Sequence, residues 1–269
     1  MNKVLVQGII SVLVFFSTWS LLKEVDWMEV FQVEKTTDET EEKLGDLIWE
    51  SISRTEEEIK EIDVVNTIDS IVNHLCKENE LDRDYLKVHV LQKDEINAFA
   101  LPNGHLVIYS GLILNSDNQE ELIGVVGHEI AHIQLNHVMK KLVREIGLSV
   151  LISMTTGNGG GEMIMETARM LSSTAFDRSM EKEADLKGVD YLIEAKVNPE
   201  PLANFLYRLA TEEPEAAKYF AWISTHPDSK ERAEYIIDYS SDKKVEFESI
   251  LKDETWVELQ KSLKDGNNL

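Results

Sequence analysis

One long apolar run stands out near the N-terminus. Val4 to Leu22 (VLVQGIISVLVFFSTWSLL) holds no charged residue across 19 positions. As a helix it would span roughly 28 Å, about the hydrocarbon thickness of a bilayer. Lys3 precedes it; Glu24, Asp26, Glu29 and Glu34 follow, with Lys23 the only early positive charge on that side. The positive-inside rule then predicts a single-pass anchor, N-terminus cytoplasmic and the remainder outside, periplasmic or extracellular. Residues 1–23 are read as anchor or signal. A cleaved signal peptide, leaving a secreted or periplasmic protein, is the rival reading, although Thr18-Trp19-Ser20 makes a poor cleavage site.

Beyond the run the pattern turns polar. Glu34 to Asp63 holds twelve acidic residues against Lys35, Lys43, Arg54 and Lys60. Residues 24–58 therefore read as a solvated acidic linker. From Ile59 to Glu80, Ile62, Val65, Ile68, Val72 and Leu75 recur at helical spacing. Leu86 to Leu91 alternates and predicts a strand. Ile96–Leu101 and His105–Tyr109 flank Pro102-Asn103-Gly104, the pattern of a hairpin. Ser116 and Asp117 ahead of Gln119 and Glu120 mark the start of a helix that runs to about Arg144. Ile146 to Thr156 is apolar, but at eleven residues it is too short to cross a bilayer. Gly157–Gly161 is a loop, and Pro199, Pro201, Pro214 and Pro227 sit near the starts of further helices. The expected class is α+β: one mostly helical domain over 59–269 with a small β-sheet, preceded by one transmembrane helix.

Composition then removes whole classes of function. The 269 residues are 43% hydrophobic and 29% charged, which excludes wholesale disorder and a polytopic membrane protein. Lys+Arg 27 against Asp+Glu 50 gives a net charge of −23, which would repel a phosphate backbone, so no nucleic-acid partner is expected. The single cysteine, Cys76, rules out an internal disulfide and a cysteine-based zinc finger. Lying near Ile68, Val72 and Leu75, it reads as a small buried hydrophobe.

The chemistry concentrates at His128-Glu129-Ile130-Ala131-His132. Two histidines at i and i+4 stack on one helix face and can hold one Zn²⁺, with the glutamate between them as general base. At 100° per residue, Ile123, Val126, Ile130 and Ile133 share one arc and the histidines lie roughly opposite. Gly124, Gly127 and Ala131 form a small-residue stripe between, which calls for the close approach of another helix. His137 falls with the isoleucines on a continuous helix, turned about 140° from the metal, and reads as structural. The long metalloprotease motif needs a third histidine at 138, where this chain has Val138. A third ligand must come from Arg178-Ser179-Met180-Glu181-Lys182-Glu183-Ala184-Asp185. On that helix Glu181, Ala184, Asp185, Gly188, Leu192 and Ala195 share one face and Glu183 points outward. An inward carboxylate is costly unless paired or ligating, so Glu181 is the ligand of choice. Asp185, one turn later, can accept from the free ring N–H of a zinc histidine. The competing account is a structural ion cluster of these acids with Arg178.

These motifs together resemble the zinc metallopeptidase family of the CAAX prenyl protease and the HtpX heat-shock protease. The H-E-x-x-H, the E-x-x-A-D with arginine three residues before its glutamate, Asn97-Ala98-Phe99-Ala100-Leu101-Pro102-Asn103-Gly104, Gly111-Leu112-Ile113 and Thr225-His226-Pro227 look closest to its soluble-domain branch. The resemblance covers roughly Ile59 to Ile237. It implies a gluzincin-type domain with one Zn²⁺ per chain on His128, His132 and Glu181, and Glu129 as the base. His226 and Arg178 become candidate catalytic donors to the developing oxyanion. In periplasmic relatives a histidine in the context of His226 can instead sit at the metal and keep the enzyme closed. Asn97, Ala98, Phe99 and Ala100 are the candidate substrate-binding edge, to which an extended peptide could add as a strand. The expectation is a membrane-anchored endopeptidase acting on misfolded or unassembled envelope proteins. The alternative is a zinc-stabilised binding module that does not cleave.

Overall fold

The computed structural model describes residues 33–157, 160–211, 217–243 and 245–266. Contacts divide the chain into residues 1–41 and 42–269; of the first unit only 33–41 is described, as the start of a helix.

Helix α1 (Val33–Ser53) replaces the expected linker over most of that stretch. Leu44, Ile48 and Ile52 recur every four residues and are buried. The acidic composition had masked a single apolar stripe, while the charges occupy the remaining faces. Helix α2 (Ile62–Glu78) buries Val64, Ile68, Ile71, Val72, Leu75 and Cys76. Its first turn departs from the predicted stripe, for Ile62 is 73% exposed.

The sheet comprises β1 (Lys87–Leu91), β2 (Ala98–Ala100) and β3 (His105–Tyr109) in the order β1-β3-β2. The hairpin is present as expected, β2 antiparallel to β3 with Phe99 opposite Val107. β1 lies parallel to β3 on the other side. Asn103 (φ 62°) and Gly104 (φ 69°) make the left-handed turn between the hairpin strands. A Cβ at Gly104 would stand 2.1 Å from the Tyr85 carbonyl oxygen, so only glycine fits there. Opposite this sheet, Trp49 of α1 stacks on His89 at 3.5 Å between ring centroids, and burial pushes the neighbouring His105 down to about 4.

Helices make up the rest: α3 (Ser110–Asn115), α4 (Gln119–Gln134), α5 (His137–Glu145), α6 (Leu148–Thr155), α7 (Gly161–Ser173), α8 (Arg178–Glu194), α9 (Glu200–Thr211), α10 (Ala217–Thr225), α11 (Ser229–Ser240) and α12 (Asp253–Gly266). α4 begins later than the Ser116/Asp117 signature predicts. Asn118 Oδ1 accepts the Glu121 N–H at 2.9 Å, and Glu121 Oε2 accepts the Asp117 N–H at 2.8 Å. It also stops earlier than Arg144. Asn136 adopts the left-handed conformation (φ 56°, ψ 32°), which asparagine tolerates, and α5 starts in a new direction.

α4 is buried on every side from Glu121 to Ile133. Its small residues face two neighbouring helices. A Cβ at Gly124 would stand 2.7 Å from Leu202 Cβ on α9, and one at Gly188 on α8 would stand 3.2 Å from His128 Cα. The close approach read from the small-residue stripe is therefore present, and glycine on α8 matches it.

The membrane expectation is corrected. Among the described residues no helix is long and apolar enough to cross a membrane. The long helix α1 is strongly acidic, and the apolar α6 has only 8 residues. Val4–Leu22, on which the anchor rested, lies outside the described residues. The N-terminal transmembrane helix, the membrane as partner, the single-pass topology and the envelope location drawn from it are therefore without support among the described residues.

Candidate metal centre

Four side chains from three helical regions meet at one point. His128, His132, Glu181 and His226 each offer a ligand atom, all within 4.8 Å of one another, and all four residues are buried. α4 brings the two histidines, α8 brings Glu181, and the turn after α10 brings His226. The wheel on α8 holds, with Glu181, Ala184, Asp185 and Gly188 buried. The Glu183 side chain is 63% exposed.

Counting ring protons tests whether a cation fits. His128 Nδ1 lies 2.9 Å from an Asp185 carboxylate oxygen, which favours the proton on Nδ1. His132 Nδ1 faces His137 Nδ1 at 3.0 Å, and His137 Nε2 faces the Glu183 carboxylate at 3.2 Å. A carboxylate only accepts, so His137 carries its proton on Nε2 and His132 carries its own on Nδ1. Both Nε2 atoms then present lone pairs, 3.0 Å apart. Glu181 oxygens lie 3.3 Å from one and 3.7 Å from the other. Burial holds both imidazoles neutral, His128 pushed down to about 3 and His132 lowered as well. Converging lone pairs and a carboxylate repel one another unless a cation sits among them. Two imidazoles, a carboxylate and a further ring nitrogen form a donor set suited to zinc.

Charge around the cluster is balanced from the far side by a residue the sequence did not single out. Arg232 on α11 is buried and grips Asp185 through Nε (2.8 Å) and Nη2 (2.7 Å). Its Nη1 lies 2.7 Å from Glu181 Oε2, and Tyr235 also donates to Asp185. Burial alone would raise both acids; the charges around them outweigh it and hold both well below the usual range. Arg232 is the charge common to both acids, and hydrogen bonds from ring nitrogens add to it. The one available signal was position, six residues beyond His226 at the start of a helix.

Glu129 shares this interior but points elsewhere. It is absent from the donor set, and its Oε1 lies 3.3 Å from His226 Nε2. Burial and the neighbouring Glu181 raise its carboxyl well above the ordinary range. The charge of Arg232, and after it the backbone amide of Ala100 on β2, work against that rise.

The other sequence candidates fall in different places. Asp185 sits behind His128, as its one-turn offset from Glu181 implied. Arg178 is not brought to the cluster: its side chain is 79% exposed and pairs with Asp228 at 2.7 Å. Ala98, Phe99 and Ala100 on the edge strand, and Asn97 just before it, are all buried. Asn97 Nδ2 donates to the Ser172 carbonyl at 3.4 Å, while its Oδ1 is buried without a partner. His137, read as structural, touches His132 because the break at Asn136 turns α5. Phe176 stacks on His132 at 4.1 Å and Trp222 on His226 at 4.1 Å. Lys141, lowered to about 8 by burial, lies over the ring of Phe176, 4.4 Å from its centroid.

Comparison with known proteins agrees with this geometry. The model of Peptidase family M48 matches residues 65–239. The beta-barrel assembly-enhancing protease of Yersinia pestis is 27% identical over 172 residues, covering 60% of this chain and 35% of its own. The mitochondrial metalloendopeptidase OMA1 of Schizosaccharomyces pombe is 28% identical over 177 residues, covering 65% and 52%. The metalloprotease LoiP of Escherichia coli is 29% identical over 171 residues, covering 61% and 66%. The chain thus spans less than two thirds of the length of these relatives.

Proposed function

This chain belongs to peptidase family M48 and carries a zinc metalloendopeptidase site, and we propose that it cleaves extended, unfolded or unassembled protein segments. The observation that carries the reading is the convergence of His128, His132 and Glu181 beside a separate buried carboxylate, Glu129. Zn²⁺ bound there supplies Lewis-acid activation of water and of the scissile carbonyl. Glu129 takes the water proton as the C–O bond forms and returns it to the amine as the C–N bond breaks. The charged form it needs is favoured by positive charge among the four donors, which opposes the burial that raises its pKa.

Substrate enters this account through β2. A peptide laid along that edge would find backbone groups of residues 98–100. A cleft of about 520 Å³ beside the strand, lined by Ile52, Phe99, Tyr109, Ala168 and Ala221 among others, gives room for side chains. Recognition through the backbone asks little of the sequence, so extended segments are the natural substrates.

His226 takes the role of a fourth donor that keeps the site closed, which suits its burial and its Nδ1 position 3.1 Å from both Glu181 oxygens. In a casein digestion, slow cleavage by wild type and faster cleavage by His226→Ala are expected, both lost on adding a chelator and restored by zinc. If wild type and His226→Ala both bind casein and neither cleaves it, the chain is a zinc-stabilised binding module instead.

A further inference from the structure

We propose that His137 and Glu183 are positioning residues of the metal centre, forming a hydrogen-bonded chain that runs from the ring of His132 to solvent and fixes the tautomer in which His132 coordinates. The inference rests on the zinc reading above. Two links carry it: His132 Nδ1 to His137 Nδ1 at 3.0 Å, and His137 Nε2 to Glu183 Oε2 at 3.2 Å. His132 and His137 are fully buried, whereas Glu183 is open to water. Direction along the chain is set by its outer end. The carboxylate can only accept, so His137 must hold its proton on Nε2 and accept on Nδ1. That obliges His132 to donate from Nδ1 and leaves Nε2 as its lone pair towards the metal.

The two zinc histidines are therefore anchored in different ways. His128 Nδ1 faces Asp185 at 2.9 Å, itself locked by Arg232 and Tyr235 in the interior. His132 donates to a neutral ring whose acceptor strength is set from the surface. A negative charge on Glu183 polarises His137 and makes His132 a stronger ligand, as carboxylates behind zinc histidines do. Two local features build the chain. The left-handed Asn136 redirects α5 so that His137 folds back onto His132. α8 places Glu181 inward and, two residues later, Glu183 at the rim, so one helix supplies both a ligand and the far end of the other ligand's support.

Zinc affinity of the full-length chain, measured by competition with a chromogenic chelator at fixed pH, tests this without reference to catalysis. His137→Ala is expected to weaken zinc binding by about 10–100-fold, and Glu183→Ala on the order of 10-fold. Glu183→Gln keeps an acceptor oxygen and is expected to lose less than Glu183→Ala. Glu194→Gln, an exposed acid on the same helix, controls for net charge and is expected to bind like wild type. Glu183 is a surface residue, so the metal-free melting temperature of its variants should stay at the wild-type value. Should His137→Ala fail to fold, the Glu183 pair decides. Binding by Glu183→Ala within twofold of wild type would overturn the proposal, as would an equal loss in Glu194→Gln. A wild-type chain that binds no zinc would instead overturn the metal assignment, so the two failures are distinct.

Discussion

Glu129→Gln is expected to lower the rate of peptide hydrolysis by about 10²–10⁴-fold, the usual contribution of a positioned general base. Zinc content should be unchanged, because Glu129 is not among the four converging donors. Fold should be unchanged too, since the amide keeps the size and shape of the buried side chain. Only the capacity to take and return a proton is removed. The carboxyl of Glu129 is raised by burial and by Glu181, which makes it a strong base once neighbouring positive charge ionises it. The check is a casein digestion of wild type and variant at equal metal content. A variant that cleaves at the wild-type rate would remove Glu129 from the mechanism.

Loss of Arg232 should strike stability instead. Arg232→Leu leaves Asp185 and Glu181 buried without their common counter-charge. Breaking a buried ion pair from one side typically costs about 3–5 kcal/mol, because the remaining charge has no solvation. For a chain of this size that corresponds to a fall in Tm of roughly 6–20 °C. The measurement belongs on the metal-free protein, since bound zinc would partly neutralise the stranded carboxylates. A melting temperature within a degree of wild type would show that the guanidinium is not the charge holding these acids in place.

The parts of the site legible from sequence are those that lie within one regular element. On α8 a wheel separates Glu181 from Glu183, because the helix is unbroken over its 17 residues. On α4 the same wheel places His128 and His132 together but fails at His137. Nothing in the local periodicity announced that Asn136 would turn left-handed and start a new helix. Arg232 was missed for a different reason. Its partners lie 47 and 51 positions away on another helix, and docking between helices leaves no periodic trace. Arg178, chosen for its nearness to Glu181 in sequence, illustrates the converse, since its side chain leaves the cluster for Asp228. Within the acidic stretch 24–58, charge outweighs the buried Leu44, Ile48, Ile52 stripe in any compositional reading. In the hairpin, Asn103-Gly104 permits a left-handed turn, which made β2 and β3 readable.

The most direct test of a zinc centre built from α4 and α8 is metal analysis of the full-length chain beside its Glu181→Ala variant, with folding of both checked by circular dichroism. Wild type should hold one zinc per chain, and the folded variant should lose stoichiometric zinc. A folded Glu181→Ala protein that keeps its full complement would contradict the assignment of that carboxylate, and with it the convergence of the two helices on one ion.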